Sequence, residues 1–479
     1  MPPDGPDMSG LSPGAEARLP PPFRYPGLNP WTGPFILRPW FDRMALPLLM
    51  RFFFPLSRAW AAAAGCHGSL ERFLREAYGP EGKRPAPGRQ AAKFIATVAA
   101  RQRAYDAAER HWRALYFSRD EGTEVPGAAA LVEVQNARRE AGQRFMAARA
   151  AALPMHLARG FPPLRFEIAA PAQVEAAHGA RLRDPETAFA PPAPPEITAS
   201  HRVPSAQGQD HWLRFAAPTL GDTAWARVSA PDGDGTRGKW PSLIYLHGIG
   251  METELWSTMI DPSLPLVRHG MRAIRPEGPW HGRRRPEGWY GGEMAMGRGP
   301  LGFIELFQAW VAEVAALIAW ARRTSDGPVA VGGVSLGALT TQMLAAACRS
   351  WPPELRPDAL LLVATSGDVL EIVEAGSLSG ALRIPPRLRA AGWSPETVGH
   401  WAPLLQPMGA PGLEPEKIVM VLGQADDLVP YGPGLALARR WGVPPENLFE
   451  RRQGHFSVSL GLDLAPEPLQ RLAALLGAG

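Results

Sequence analysis

A serine lies between two glycines in the stretch Gly333-Val334-Ser335-Leu336-Gly337, which fits the pattern G-x-S-x-G. An apolar run at 328–334 leads directly into the serine, and residues typical of a helix follow it. A sharp strand-to-helix turn pushes a serine hydroxyl toward substrate, and only small neighbours permit the strained backbone. The five-residue pattern also arises by chance, so it is the context that makes Ser335 a candidate nucleophile.

A histidine and a carboxylate must accompany such a serine, because its hydroxyl is a weak nucleophile until a base takes the proton. Asp426 lies just past a predicted strand at 417–423, and His455 follows another at 447–452. The chain order serine, acid, histidine is the order expected after a G-x-S-x-G turn. Asp427 remains an alternative acid, since loop geometry decides which carboxylate reaches the imidazole.

Acyl transfer also needs N–H donors that stabilise the negative charge on the former carbonyl oxygen. Leu336 offers one backbone N–H because it follows the serine. The loop after a predicted strand at 242–246 is His247-Gly248-Ile249-Gly250. We assign the second donor to Ile249, with Gly250 as the alternative. His247, Gly248 and Gly250 are also candidate substrate-binding residues.

A basic loop follows the predicted strand at 271–275 and contains His281 and the arginines Arg283, Arg284 and Arg285. Its place near the carboxyl ends of the strands would let it clamp a carboxylate or phosphate of a substrate. A solvated basic loop is an equally good interpretation. His281 and Arg283 are the substrate-binding candidates from this loop.

The elements that must position these residues begin after the proline-rich linker at 191–195. Short β-type segments at 197–203, 211–217 and 224–229 precede strands that alternate with helices. This alternation predicts a mostly parallel, twisted sheet with helices on both faces. The predicted catalytic domain is 196–479.

Four motifs together resemble the α/β-hydrolase superfamily of serine hydrolases. In chain order they are the His247-Gly248 loop, the Ser335 turn, the loop with Asp426 and the loop with His455. In layout, the stretch Pro276-Glu277-Gly278-Pro279-Trp280-His281-Gly282-Arg283-Arg284-Arg285-Pro286, followed by a long helix and the serine turn, resembles α/β-hydrolase domain-containing protein 18 and its bacterial relatives. The sequence departs from the larger family at Leu336-Gly337-Ala338, where Gly-Gly is usual after the serine. The resemblance implies the α/β-hydrolase fold and would agree with a lipid or other lipophilic ester as substrate.

The N-terminal third of the chain has a different character. Residues 1–34 hold ten prolines and no sustained apolar periodicity, which predicts a flexible leader. Residues 35–190 form a predicted helical region in which 89–117 and 128–153 make a helical hairpin. The hairpin is expected to cover one edge of the catalytic domain; capping an active site and self-association are the alternatives.

The segment 45–64 is strongly apolar, yet it contains Arg51, Arg58 and two prolines. Charges near its centre make it a poor membrane-spanning helix. It is expected to pack on the catalytic domain, and the alternative is a peripheral membrane contact.

Composition excludes other classes of protein. The formal net charge is +4 and acids are interspersed with arginines, so a nucleic-acid partner is not supported. Two cysteines cannot form a disulfide framework, and neither a metal site nor a cofactor is expected. The absence of a basic region before an apolar run predicts a cytoplasmic protein, either free or membrane-associated. The sequence does not define an oligomeric state.

The expected function is cleavage of a carboxylic ester, either small or lipid, through an acyl-enzyme on Ser335. His455 would act as the base and Asp426 would hold its imidazole. An amidase, peptidase or acyltransferase would use the same residues, because a fold does not define one reaction. A non-catalytic, membrane-associated scaffold is the alternative from a different class.

Overall fold

The computed structural model describes residues 18, 31–79, 88–118, 126–233, 239–252 and 264–478. Within these residues ten strands form a single mixed sheet in the order β1-β3-β4-β6-β5-β7-β8-β9-β10, with β2 paired to β3. The strands are β1 (Thr198–Ala199), β2 (Val203–Ser205), β3 (Gly208–Ala216), β4 (Thr223–Ala230), β5 (Ser242–Leu246), β6 (Arg272–Pro276), β7 (Val329–Val334), β8 (Ala359–Val363), β9 (Ile418–Gly423) and β10 (Leu448–Arg451).

The sheet has an antiparallel part and a parallel part. Strands β1 to β4 pair antiparallel and β4 joins β6 antiparallel, whereas β6, β5, β7, β8, β9 and β10 run parallel to their neighbours. The parallel strands β5, β6, β8 and β9 are buried along their whole length, as expected for strands covered on both faces. The predicted fold class is confirmed. Because parallel strands end at one edge, the loops after β5, β7, β9 and β10 meet there.

Helices cover the sheet and form the N-terminal region. The N-terminal helices are α1 (Gly33–Ile36), α2 (Pro39–Leu48), α3 (Phe54–Gly65), α4 (Leu70–Tyr78), α5 (Arg89–Tyr116), α6 (Ala128–Ala147), α7 (Leu153–Arg159), α8 (Pro171–Arg183) and α9 (Pro185–Ala188). The later helices are α10 (Leu264–Arg268), α11 (Glu293–Gly297), α12 (Pro300–Thr324), α13 (Leu336–Ala347), α14 (Val369–Glu374), α15 (Ser377–Ala381), α16 (Ile384–Ala390), α17 (Pro395–His400), α18 (Tyr431–Arg440), α19 (His455–Leu460) and α20 (Glu467–Leu475). A π-helical turn, Leu49–Phe53, joins α2 to α3.

Helix α12 is, among the described residues, the one helix long and apolar enough to cross a membrane. Most of its side chains are buried between the sheet and neighbouring helices. It has the character of a core helix.

The hairpin of α5 and α6 packs on the antiparallel part of the sheet. Trp112 and Leu131 of the hairpin share an apolar cluster with Trp212 of β3 and Trp225 of β4. The hairpin therefore covers that edge of the sheet.

The two cysteines, Cys66 and Cys348, are buried and form no disulfide with each other.

Helix α3 is a buried element of the same body. Arg58 is fully buried; its guanidinium donates to the Glu293 carboxylate at 2.6 Å and to the Gly288 carbonyl at 2.5 Å. The indole N–H of Trp60 donates to the carbonyl of Phe145 in α6. The apolar segment 45–64 is thus divided, since its second half lies in the core and its first half contributes exposed side chains.

Candidate active site

Ser335 occupies the turn between β7 and α13 with φ of 54° and ψ of −119°. This positive φ is strained for a residue with a Cβ. A Cβ added at Gly333 would lie 2.5 Å from the carbonyl carbon of Gly337, and one at Gly337 would lie 2.3 Å from the carbonyl oxygen of Leu246. Both glycines are therefore required for the turn to close against β5.

Three side chains from three loops meet at the carboxyl edge of the sheet. The Nε2 atom of His455 lies 2.9 Å from Ser335 Oγ, and its Nδ1 atom lies 2.8 Å from Asp426 Oδ2. A carboxylate accepts, so Nδ1 carries the proton and Nε2 is left to accept from the serine hydroxyl. The arrangement can perform nucleophilic attack assisted by a base.

The acid is held by its own loop. Asp426 Oδ1 accepts hydrogen bonds from the backbone N–H groups of Leu428 and Val429, at 3.1 and 3.0 Å. The neighbouring Asp427 instead accepts from the hydroxyl of Ser377 at 3.0 Å. Of the two candidate acids, the structure brings Asp426 to the imidazole.

The charges around His455 favour its protonated form. Burial acts to lower the pKa of His455, but the Asp426 carboxylate and its hydrogen bond raise it, and Asp42 and Asp427 add smaller effects in the same direction. The net result is a pKa above the ordinary value for histidine. An imidazolium formed by taking up a proton would be stabilised by the same groups.

The loop after β5 lies beside the serine, since a Cβ on Gly248 would be 3.6 Å from Ser335 Cβ. His247 Nε2 accepts from the N–H of Gly278, so its Nδ1 donates to the Gly248 carbonyl at 2.7 Å. In a planar trans peptide the C=O and the following N–H point in opposite directions. Turning the Gly248 carbonyl to His247 therefore turns the Ile249 N–H away from that ring. Burial, followed by the effect of His281, holds the pKa of His247 well below its ordinary value.

A cavity of about 520 Å³ opens in front of Ser335 and His455. Gly248, Ile249, Gly250 and Leu336 line it. The rest of its wall is mainly apolar. It includes Leu46 of α2, Leu49 and Phe53 of the π-helical turn, Phe303 and Phe307 of α12, and Ile372 of α14. Such a wall suits an apolar ligand.

The structure does not bring His281 and Arg283 to this cavity. His281 is buried with Nδ1 hydrogen-bonded to the Pro279 carbonyl, and burial lowers its pKa to about 4. The Arg283 guanidinium is ion-paired with Glu109 of α5 and with Glu277, and Trp212 stacks on it. The basic loop joins the hairpin to the sheet through ion pairs.

One close partner of the site had no signal in the sequence. Asp42 of α2 is buried, and its Oδ1 atom accepts from the backbone N–H groups of Phe456 and Ser457 at 2.6 and 3.1 Å. Its Oδ2 atom accepts from the Ser457 hydroxyl at 2.5 Å. The partners are more than 400 residues apart in the chain, so no local pattern could show the contact.

Comparison with known protein families matches residues 216–369 to the family described as "Alpha/beta hydrolase domain containing 18". The matched region holds β4 to β8, including the Ser335 turn, and ends before Asp426 and His455. No curated protein matches the chain.

Solved structures with similar folds include enzymes that act on different bonds. The chain is 15% identical to an acetyl xylan esterase from Paenibacillus sp. R4, with 65% of this chain and 97% of that one covered and a TM-score of 0.44. The chain is 17% identical to brefeldin A esterase, a bacterial homologue of human hormone sensitive lipase, with 65% of this chain and 88% of that one covered and a TM-score of 0.36. The chain is 16% identical to oligopeptidase B from Leishmania major, with 59% of this chain and 37% of that one covered and a TM-score of 0.39. Likenesses this distant define no activity.

Proposed function

We propose, from the premise that the chain is an α/β-hydrolase, that it hydrolyses carboxylic esters with a lipophilic acyl or alcohol part. The observation that carries the proposal is the line of hydrogen bonds from Ser335 through His455 to Asp426 at the wall of an apolar cavity. The family match supports a hydrolase. The ester substrate and the roles of the three residues are part of the proposal.

The reaction begins when Ser335 Oγ attacks the ester carbonyl carbon and its proton passes to His455 Nε2. Asp426 stabilises the imidazolium. The carbonyl oxygen becomes an oxyanion that accepts from the N–H groups of Leu336 and Ile249. Collapse of this intermediate breaks the ester C–O bond, and the leaving alcohol takes the proton from His455.

The second half restores the enzyme. A water molecule gives a proton to His455 and attacks the acyl group on Ser335. A second oxyanion collapses, the serine oxygen regains the proton, and the carboxylic acid leaves. Removing one oxyanion donor is expected to slow these steps by about 10² to 10³.

The lipophilic preference is argued from the cavity. Its volume of about 520 Å³ falls within the usual size of small-molecule sites, and its lining is mainly apolar. Amide cleavage or acyl transfer would use the same three side chains, but no feature of the described residues favours them. A scaffold without activity would not need a strained serine aligned with a base and a buried acid.

The test is hydrolysis of p-nitrophenyl butyrate by the full chain and by three variants. Ser335→Ala and His455→Ala are expected to lower kcat by at least about 10³. Ser350→Ala is the control, because Ser350 is an exposed serine outside the residues that line the cavity, and it should keep kcat within about twofold. Turnover by folded Ser335→Ala at the wild-type rate would overturn the proposal.

A further inference from the structure

The outer face of α2 is apolar and exposed. Trp40, Met44 and Leu48 follow one another at intervals of four residues, the spacing of one helical face. With Trp31 and Phe35 they form what we call the apolar stripe, whose members are 45% to 86% exposed. Exposed large apolar side chains that cluster in this way mark an interaction surface.

The charges around the stripe are of one sign. The exposed charged residues of the segment 31–52 are Arg38, Arg43 and Arg51. The segment has one acid, Asp42, and it is buried against α19. An apolar face flanked by arginines is the pattern by which interfacial helices bind anionic lipid surfaces.

The inner face of the same segment belongs to the site. Leu46 of α2, together with Leu49 and Phe53 of the π-helical turn, lines the cavity that contains Ser335. The stripe and the cavity wall are therefore two sides of one helical segment. A lipid surface in contact with the apolar stripe would therefore lie close to the wall of the cavity.

We propose that the apolar stripe docks the protein on an anionic lipid surface, from which a lipophilic ester passes into the Ser335 cavity. The docking is inferred from the apolar stripe and the exposed arginines beside it. The delivery of substrate rests on the proposed function.

Flotation with vesicles tests the docking. The full chain is mixed with phosphatidylcholine vesicles that either contain or lack phosphatidylglycerol. The triple variant Trp40→Gln, Met44→Gln, Leu48→Gln is expected to lose at least roughly tenfold in vesicle binding. Replacing Arg43 or Arg51 with Gln should weaken binding only to the anionic vesicles, by roughly fivefold each.

The matched control is Met408→Gln, since Met408 is an exposed apolar residue outside the stripe. It should bind as the wild type does. Equal binding by the triple variant, or no binding of the wild type to either vesicle, would overturn the proposal. So would a wild-type dimer that the triple variant turns into a monomer, because a second copy would then be the occupant.

Activity on a soluble ester separates this proposal from the proposed function. The triple variant should hydrolyse p-nitrophenyl butyrate at the wild-type rate and lose activity on esters held in anionic vesicles. Vesicle binding by a chain that cleaves no ester would remove the proposed function and leave docking in place.

A second inference is carried by different contacts, those of Asp42 with α19. His455 is the first residue of α19, and Asp42 binds the next two backbone N–H groups and the Ser457 hydroxyl. A Cβ on Gly454 would lie 2.5 Å from Asp42 Cγ, so the glycine before the histidine permits this close approach. The carboxylate ties the start of α19 to α2.

We infer that Asp42 is a positioning residue, which holds the backbone of His455 so that the imidazole reaches Ser335. The charged groups that face the ring are Asp426 and Asp427 from the loop after β9 and Asp42 from α2, and each raises the pKa of His455. Replacing Asp42 should thus change both the geometry and the titration of the histidine.

Two substitutions separate these effects. Asp42→Asn keeps an acceptor for the two N–H groups and loses the charge, so the acid limb of kcat/KM should move to lower pH with a small loss of rate. Asp42→Ala should also lower kcat by roughly tenfold or more, because a small misplacement of a catalytic group is costly. Asp427→Asn is the control for charge alone, since the Asp427 carboxylate accepts from the Ser377 hydroxyl of α15 rather than holding the start of α19.

Asp42→Asn should restore most of the kcat that Asp42→Ala loses, which a general loss of stability would not predict. A folded Asp42→Ala protein with the wild-type kcat and the wild-type pH profile would overturn the inference.

Discussion

Ser335, Gly333 and Gly337 show how a few backbone atoms define the site. The serine is held at positive φ because β7 must turn into α13 within one residue, and each flanking glycine packs against a carbonyl group. This part could be predicted from sequence, since the pattern encodes the backbone strain directly. The choice between Asp426 and Asp427 could not, because neighbouring carboxylates differ only in the hydrogen bonds that their loop provides.

Gly337→Ala tests the close packing of the turn. The added Cβ would lie 2.3 Å from the Leu246 carbonyl oxygen, and we expect a loss of about 1–3 kcal/mol or more in the free energy of unfolding. Urea denaturation measures the loss. Gly380→Ala is the control, because a Cβ there meets nothing within 4 Å; equal stability of the two variants would contradict the geometry.

The raised pKa of His455 predicts the acid side of the pH profile. A general base must be neutral, so kcat/KM should fall as pH drops through a pKa above about 6.5, the ordinary value for histidine. Asp426→Asn removes the group that raises this pKa most. The limb should then move to lower pH while kcat falls by about 10⁴. If the acid limb stays at the same pH in this variant, the limb does not report the titration of His455.

At the scale of elements, the parallel half of the sheet was the most predictable part. The predicted strand at 242–246 has the observed bounds, and the apolar run at 328–334 contains β7, because strands buried on both faces are short continuous apolar runs between turn residues. The apolar segment 45–64 was less predictable. Both of its halves are apolar, with one arginine and one proline each, yet α3 is buried while α2 is half exposed, and tertiary packing makes that difference.

Arg58 carries a signal that points to such packing, since an arginine in an apolar helix needs a buried partner. Burial raises the pKa of the partner, Glu293, while Arg58 opposes this effect. Arg58→Ala should cost about 3–5 kcal/mol in the free energy of unfolding, because it leaves Glu293 buried and unpaired. Arg144→Ala, which breaks an exposed pair with Glu140, should cost under about 1 kcal/mol. Equal losses of unfolding free energy in the two variants would contradict the burial of Glu293 and show that water reaches its carboxylate.

At the scale of the whole molecule, the N-terminal helices and the loops of the sheet line one cavity. Leu46 and Phe53 line the cavity, and Asp42 reaches the start of α19. The division of the chain at the linker 191–195 stays a prediction. Sequence reasoning separated the two regions because composition changes at the linker, whereas contacts between residues 42 and 456 leave no trace in local composition.

The apolar cavity predicts how activity depends on substrate length. Each methylene buried is worth about 0.8 kcal/mol, so kcat/KM should rise about fourfold per added CH₂ until the cavity is filled. A series of p-nitrophenyl esters measures this dependence. A flat series, or one that falls from acetate onward, would contradict a lipophilic substrate.

The central claim is that Ser335 is an activated nucleophile, and covalent labelling by a fluorophosphonate followed by peptide mass spectrometry tests it most directly. The account predicts one adduct, on the peptide that contains Ser335. The adduct should be absent in Ser335→Ala and unchanged in the control Ser350→Ala, and its formation should be slowed by at least about 10² in His455→Ala. A folded wild-type protein that takes no label, or takes it on another residue, would contradict the account.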